Sequence, residues 1–129
     1  MEDWKIKISV LWLFYAVAFL VVLNLGAFEP GAIEQIMTGE IGGMKITPEL
    51  MLVLAILMLA PLVMAFLSLT LKDSVNRWAN IIIGIIYAVF GFKDLPNYLS
   101  YSSAYAALLT FSGNMASLLV VWYAWKSKK

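Results

Sequence analysis

The sequence predicts an all-α polytopic membrane protein, an antiparallel bundle of four transmembrane helices in a single membrane domain covering residues 1–129. Three observations predict it. Hydrophobic residues make up 63% of the chain and charged residues only 13%, whereas soluble domains carry about 25% charged and 45–50% apolar residues. A soluble fold of this length cannot hide so much apolar surface. Four apolar runs each approach the roughly 20 residues that a helix needs to cross a hydrocarbon core about 30 Å thick. The runs lack the alternation of barrel strands, and a backbone in lipid must satisfy its own polar groups, so helices are the expected solution.

The first run is residues 8–28, "ISVLWLFYAVAFLVVLNLGAF". It is too long for the apolar region of a cleavable leader, and no small-x-small site precedes Glu29, so it reads as a retained span that also serves as the insertion signal. The second is about 49–71. Thr47-Pro48-Glu49 ahead of it offers a capping hydroxyl, a proline at the first helical position and an acid in the first turn. The third is about 75–92, the shortest, with Ser74 as its expected cap. Only "KDS" joins it to the second span, which predicts that the two are antiparallel neighbours. The fourth is about 104–125, "AYAALLTFSGNMASLLVVWYAW".

Four spans put both termini on one side. That side collects Lys5, Lys7, Lys72, Arg77, Lys126, Lys128 and Lys129, against Lys45 and Lys93 on the other. The positive-inside rule then predicts a plasma-membrane protein with cytoplasmic N- and C-termini. Trp4, Trp12, Trp78, Trp122 and Trp125 fall toward the same face, while Tyr98, Tyr101 and Tyr105 fall toward the other, as in interfacial aromatic belts.

The outer loop, residues 29–48, is the longest connection. Ile33, Ile36 and Met37 alternate with Glu29, Glu34 and Glu40, which predicts a short amphipathic helix over 30–38 lying at the interface, with Gly39, Gly42 and Gly43 turning toward the second span. The competing reading is a plain linker.

The chain has no Cys and no His, which removes disulfide and thiolate chemistry, Cys-ligated metal, the commonest general base and His ligation of metal or haem. No ionisable residue lies at the middle of a span, where coupled transporters place an acid. Four-span multidrug exporters of this length depend on a glutamate within span one, and this span has none. Ser112 and Ser117 lack a base at their depth, so hydrolytic chemistry is not expected. Glu29, Glu34, Glu40 and Asp94 have no recognisable metal-loop spacing and read as solvated charges. Met37, Met44, Met51, Met58, Met64 and Met115 read as gap-fillers, not a metal path. No catalytic residue, cofactor or metal is expected, and a net charge of +1 gives no field for nucleic acid.

Polar and small residues within the spans remain. Asn24, Tyr87 and Asn114 are the candidate intramembrane polar or ligand-facing residues. Pro61 removes a backbone donor and frees the carbonyl of Leu57, and Asn114, at similar depth, is the candidate to bond there. Gly113 and Ser117 form a small-xxx-small pair, and Gly84 and Gly91 share one face of span three; with Pro61 these are the expected helix-packing positions. Arg77 beside Trp78 is the candidate for lipid headgroup contact, with a plain topology anchor as the alternative.

The loop "MTGEIGGMKIT", the span "ILMLAPLVMAFLS" and the turn "LKDSVNRWANI" lie within residues 36–83. This stretch resembles an uncharacterised family of small four-span prokaryotic integral membrane proteins. The resemblance implies the four-span layout and no activity, since it carries no assigned catalytic residue. The expected function is a non-enzymatic membrane module acting by helix packing, lipid contact, or association with itself or another membrane protein. The alternatives are a carrier or channel for a small neutral or amphipathic molecule and, more weakly, a subunit of an enzyme whose chemistry lies in a partner.

Overall fold

The computed structural model describes residues 3–28, 30–41, 44–100 and 104–127, with the backbone alone at 41, 44 and 94–100. Four long helices run back and forth: α1 (Asp3–Gly26), α3 (Pro48–Thr70), α4 (Asp73–Ser100) and α5 (Ala104–Lys126). Between α1 and α3 lie a short helix α2 (Ala32–Met37) and two two-residue strands, β1 (Glu40–Ile41) and β2 (Met44–Lys45). All four long helices are long and apolar enough to cross a membrane, α4 doing so over Asp73–Lys93. The protein is a multi-pass, all-α membrane protein.

Local chemistry sets the helix ends. The Leu50 N–H donates to Thr47 Oγ1 at 3.1 Å, and Pro48 takes the first helical position of α3, where its missing donor is harmless. Asp73, not Ser74, opens α4. An acid there suits the positive end of the helix dipole, and Lys5 Nζ holds its carboxylate at 2.7 Å. The third span, Asp73–Lys93, is the shortest of the four at 21 residues, as expected, although α4 itself is 28 residues long. Its backbone continues helical past Lys93 through residue 100, although Pro96 has no N–H to give the Phe92 carbonyl.

The outer connection holds α2, as expected, and none of its residues is buried. Gly31 and Gly39 have φ of 86° and 88°, so they make turns that a side chain would resist. Ile46 N–H donates to Gly39 O at 2.7 Å, and β1 pairs antiparallel with β2, with Glu40 opposite Lys45. Gly42 and Gly43 lie outside the described residues.

The bundle is built around α1 and α5. Helix α1 packs against both α3 and α5, and α5 packs against α4. Helices α3 and α4 are joined by the short turn but share few close backbone approaches. Their expected pairing is therefore loose. Small residues let α4 approach α5, whereas the reach from α4 to α3 is made by long side chains, Tyr87 above all. Ile8, Trp12, Tyr15, Met64, Ala65, Ile81, Tyr87, Val120 and Ala124 form the buried core. Trp12, Tyr15 and Tyr87 meet edge to face, with centroids 5.1–6.1 Å apart, the favoured aromatic geometry. Trp12 is fully buried, so it belongs to the core and not to the interfacial belt; Trp78, Trp122 and Trp125 are exposed at that end. Leu52, Ile56, Leu59 and Phe66 of α3 are among many large apolar side chains facing outward, as lipid permits.

Candidate functional site

At the end of the bundle that carries the N-terminus, five polar groups are buried together. Asn76 and Asn80 stand one turn apart on α4, so one helical face presents both. Trp12 Nε1 donates to Asn80 Oδ1 at 2.7 Å. Asn80 Nδ2 donates to the Asn76 carbonyl at 2.9 Å and to Asn76 Oδ1 at 2.6 Å. Asn76 Nδ2 donates to the Ser68 carbonyl at 2.7 Å, which ties α4 to α3. The single proton of Ser68 Oγ has the Met64 carbonyl at 2.6 Å and Asn80 Oδ1 at 3.2 Å within reach. Ser9 Oγ donates to the Ala65 carbonyl at 2.9 Å, joining α1 to α3. These bonds clasp three helices. Each interhelical bond in lipid contributes about 0.6 kcal/mol on average. Leaving one of these groups unpaired in an apolar interior costs more than that.

Deeper in the bundle, Tyr87 OH donates to the Leu57 carbonyl at 2.8 Å. Leu57 is four residues before Pro61, so this is the carbonyl that the proline leaves without a helical donor. Sequence reasoning located the free carbonyl and assigned it the wrong donor. Asn114 is on α5, which packs against α1 and α4, so it lies away from the proline break. The Asn114 amide instead sits against Gly91, where a Cβ would collide with it. Asn114 is buried, and its Nδ2 has no hydrogen-bond partner. Ser117 Oγ donates to the Asn114 carbonyl at 2.8 Å.

The small residues mark close approaches. A Cβ on Gly84 would stand 2.7 Å from Val121 Cγ2 and 3.3 Å from the Ser117 carbonyl. At Gly113 a Cβ would meet the Tyr15 ring at 3.6 Å. Gly84, Gly91, Asn114 and Ser117 thus lie along the α4–α5 seam, and Gly113 lies toward α1. Asn24 is exposed near the end of α1, whereas Tyr87 and Asn114 are buried.

The same end of the bundle carries cations over aromatic rings. Lys7 Nζ is 5.4 Å from the Tyr123 centroid, and Lys126 Nζ is 4.3 Å from Trp122. The Arg77 guanidinium lies 4.9 Å from the Trp78 ring and 5.1 Å from Trp125, a cation between two indoles. Its Nε is buried and makes no hydrogen bond.

Sequence reasoning did not single out the clasp. The available signal was a stripe on α4, Asn76, Asn80, Gly84, Tyr87 and Gly91, with polar and small residues recurring every three or four positions. Among the described residues, no three acidic side chains come together as a metal site would need; Glu29 and the Asp94 side chain lie outside them.

No curated protein and no solved structure matches this chain. A family model does, over residues 1–129, the whole length, and its description is a family of unknown function, DUF6326. This agrees with the resemblance read from the loop, span and turn of residues 36–83, and the chain belongs to that family.

Proposed function

We propose that this protein is a non-enzymatic module of the plasma membrane, with both termini in the cytoplasm. It acts through helix packing, through contact with lipid, and through association with itself or another membrane protein. The observation that carries this reading is how the interior polar groups are used. Trp12, Asn76, Asn80, Ser68, Ser9 and Tyr87 bond to one another or to helix carbonyls, so they hold helices together. The cytoplasmic assignment is supported by the gathering of Lys5, Lys7, Arg77 and Lys126 at one end.

The test is reconstitution. Proteoliposomes containing the protein should not swell faster than empty ones in glycerol or urea, and crosslinking in the native membrane should yield a reproducible adduct. Protein-dependent swelling, without any adduct, would overturn the reading. Cysteine residues introduced near the termini should react with an impermeant maleimide only after the membrane is opened from the cytoplasmic side.

One observation favours the second reading, a carrier or channel for a small neutral or amphipathic molecule. Asn114 presents a buried, unpartnered amide within the bundle. Under that reading Asn114→Leu changes solute flux; under the module reading it changes stability only.

A further inference from the structure

We propose that the α4–α5 seam, at the end carrying Arg77, binds the phosphodiester of an anionic glycerophospholipid, with Arg77 as the cation and Trp78 and Trp125 as its walls. The proposal rests on the lipid-contact part of the reading above. Arg77 stands 4.9 and 5.1 Å from the two indole centroids, so its guanidinium plane is held in place rather than free in solvent. Its Nε is buried without a partner. Among the described residues the nearby acid on the same helix, Asp73, is engaged by Lys5 at 2.7 Å, and no carboxylate pairs with Arg77. Arg77 is half-buried and has no carboxylate partner among the described residues, so an anion at its terminal nitrogens, not at the buried Nε, would offset its desolvation. Guanidinium matches phosphate oxygens in a two-pronged geometry that an ammonium lacks, and indoles favour headgroup depth. Lys72 and Lys126 add positive charge at this end and favour a headgroup with net negative charge.

The seam also offers a place for the acyl chain. On α4, Trp78, Ile85 and Val89 follow one another at helical spacing; on α5, Trp125, Val121 and Leu118 do the same. A groove of ≈ 530 Å³ lies farther along that line, lined by Ile85, Val89, Leu118 and Val121 and ending at Lys93, toward the opposite end of the bundle. Ile85 is about 12 Å of helical rise beyond Arg77. One leaflet of hydrocarbon is about 15 Å deep. A chain descending from a phosphate at Arg77 therefore reaches the near end of the groove, at Ile85.

The experiment uses the full-length protein, delipidated in a neutral detergent. Phosphatidylglycerol, phosphatidylethanolamine and inorganic phosphate are titrated separately, and binding is read by native mass spectrometry and by tryptophan fluorescence. Phosphatidylglycerol should bind more tightly than phosphatidylethanolamine, and inorganic phosphate should not compete with it. Arg77→Gln should weaken phosphatidylglycerol binding about fivefold or more. Lys72→Gln removes the same charge outside the clamp and should weaken it about twofold at most. Equal losses for the two variants would reduce the site to diffuse surface charge and overturn the proposal. So would competition by inorganic phosphate, or equal affinity for the two lipids. Should Arg77→Gln fold poorly, Trp125→Leu decides: Trp125 is exposed, and its loss must weaken phosphatidylglycerol binding when Lys72→Gln does not. Solute flux, which would sink the module reading, leaves this difference between lipids and variants untouched.

Discussion

Replacing Tyr87 with Phe should expose how the bundle repairs its proline break. The substitution keeps the ring, and with it the edge contacts to Trp12 and Tyr15 at 5.7 and 5.1 Å. It deletes only the hydroxyl that donates to the Leu57 carbonyl at 2.8 Å. That carbonyl has no other helical donor, because residue 61 is proline. An average interhelical bond in lipid contributes about 0.6 kcal/mol, with a ceiling of about 1.7. A carbonyl stranded in an apolar interior pushes the cost toward the upper value, so Tyr87→Phe should destabilise by about 1–1.7 kcal/mol. Pro61→Ala restores the missing N–H. In that background the carbonyl keeps a partner when Tyr87 becomes Phe, and the loss should fall to about 0.6 kcal/mol or less. The difference, about 1 kcal/mol, is a roughly fivefold change in the unfolding constant. The double-mutant cycle subtracts whatever Pro61→Ala does by itself, including any repacking. Reversible unfolding in mixed micelles with rising dodecyl sulfate, followed by tryptophan fluorescence, measures all four corners. Equal losses from Tyr87→Phe with and without Pro61→Ala would refute the assignment of Tyr87 as the donor that replaces the missing amide.

The packing and the helix ends set four other outcomes. Gly84→Ala should cost about 1–3 kcal/mol, since its Cβ meets the Ser117 carbonyl as well as Val121, and backbone cannot swing aside. Gly91→Ala should be similarly harmful alone but largely rescued by Asn114→Ala, because the Asn114 amide is the obstacle; both are read by the same unfolding assay. Thr47→Ala should cost about 1 kcal/mol and speed amide hydrogen exchange at Leu50, whose N–H loses its acceptor. Lys5→Gln should cost less than about 1 kcal/mol, with the loss shrinking in high salt, because its partner Asp73 is 65% exposed.

The four crossings were legible because hydrophobic length is a property of single segments. So was the α3 start, since Thr47, Pro48 and Glu49 act within one turn of each other. The end of α4 was not legible: "KDLPNYLS" reads as a polar exit with Pro96 inside it, yet the backbone continues helical through residue 100. The partners of polar residues were illegible for a different reason. Knowing that Pro61 freed a carbonyl required only the sequence, but naming Tyr87 required knowing which face of α4 turns to α3, and dismissing Asn114 required knowing that α5 sits beside α1 and α4. Trp12 illustrates the same limit. Its position near the end of a span suits an interfacial anchor, and only the proximity of α4 turns it inward to Asn80.

The two kinds of contact in this bundle divide the work in a way that lipid makes necessary. Lipid tails are as apolar as leucine, so apolar side chains gain little by leaving lipid for another helix. The outward faces of α1, α3 and α4 are nearly as greasy as the core and cannot by themselves decide which face turns inward. Shape decides it along the α4–α5 seam, where Gly84 and Gly91 admit a close neighbour and a larger residue would not fit. Directional bonds decide it between α3 and α4, whose backbones stay apart: Asn76 to Ser68, Ser68 toward Asn80 and Tyr87 to Leu57 bridge a distance that small-residue packing could not. An apolar repacking of Asn76, Asn80 and Ser68, tolerable in a water-soluble core, would here remove the groups that fix the register of α3 against α4, with no hydrophobic drive to replace them.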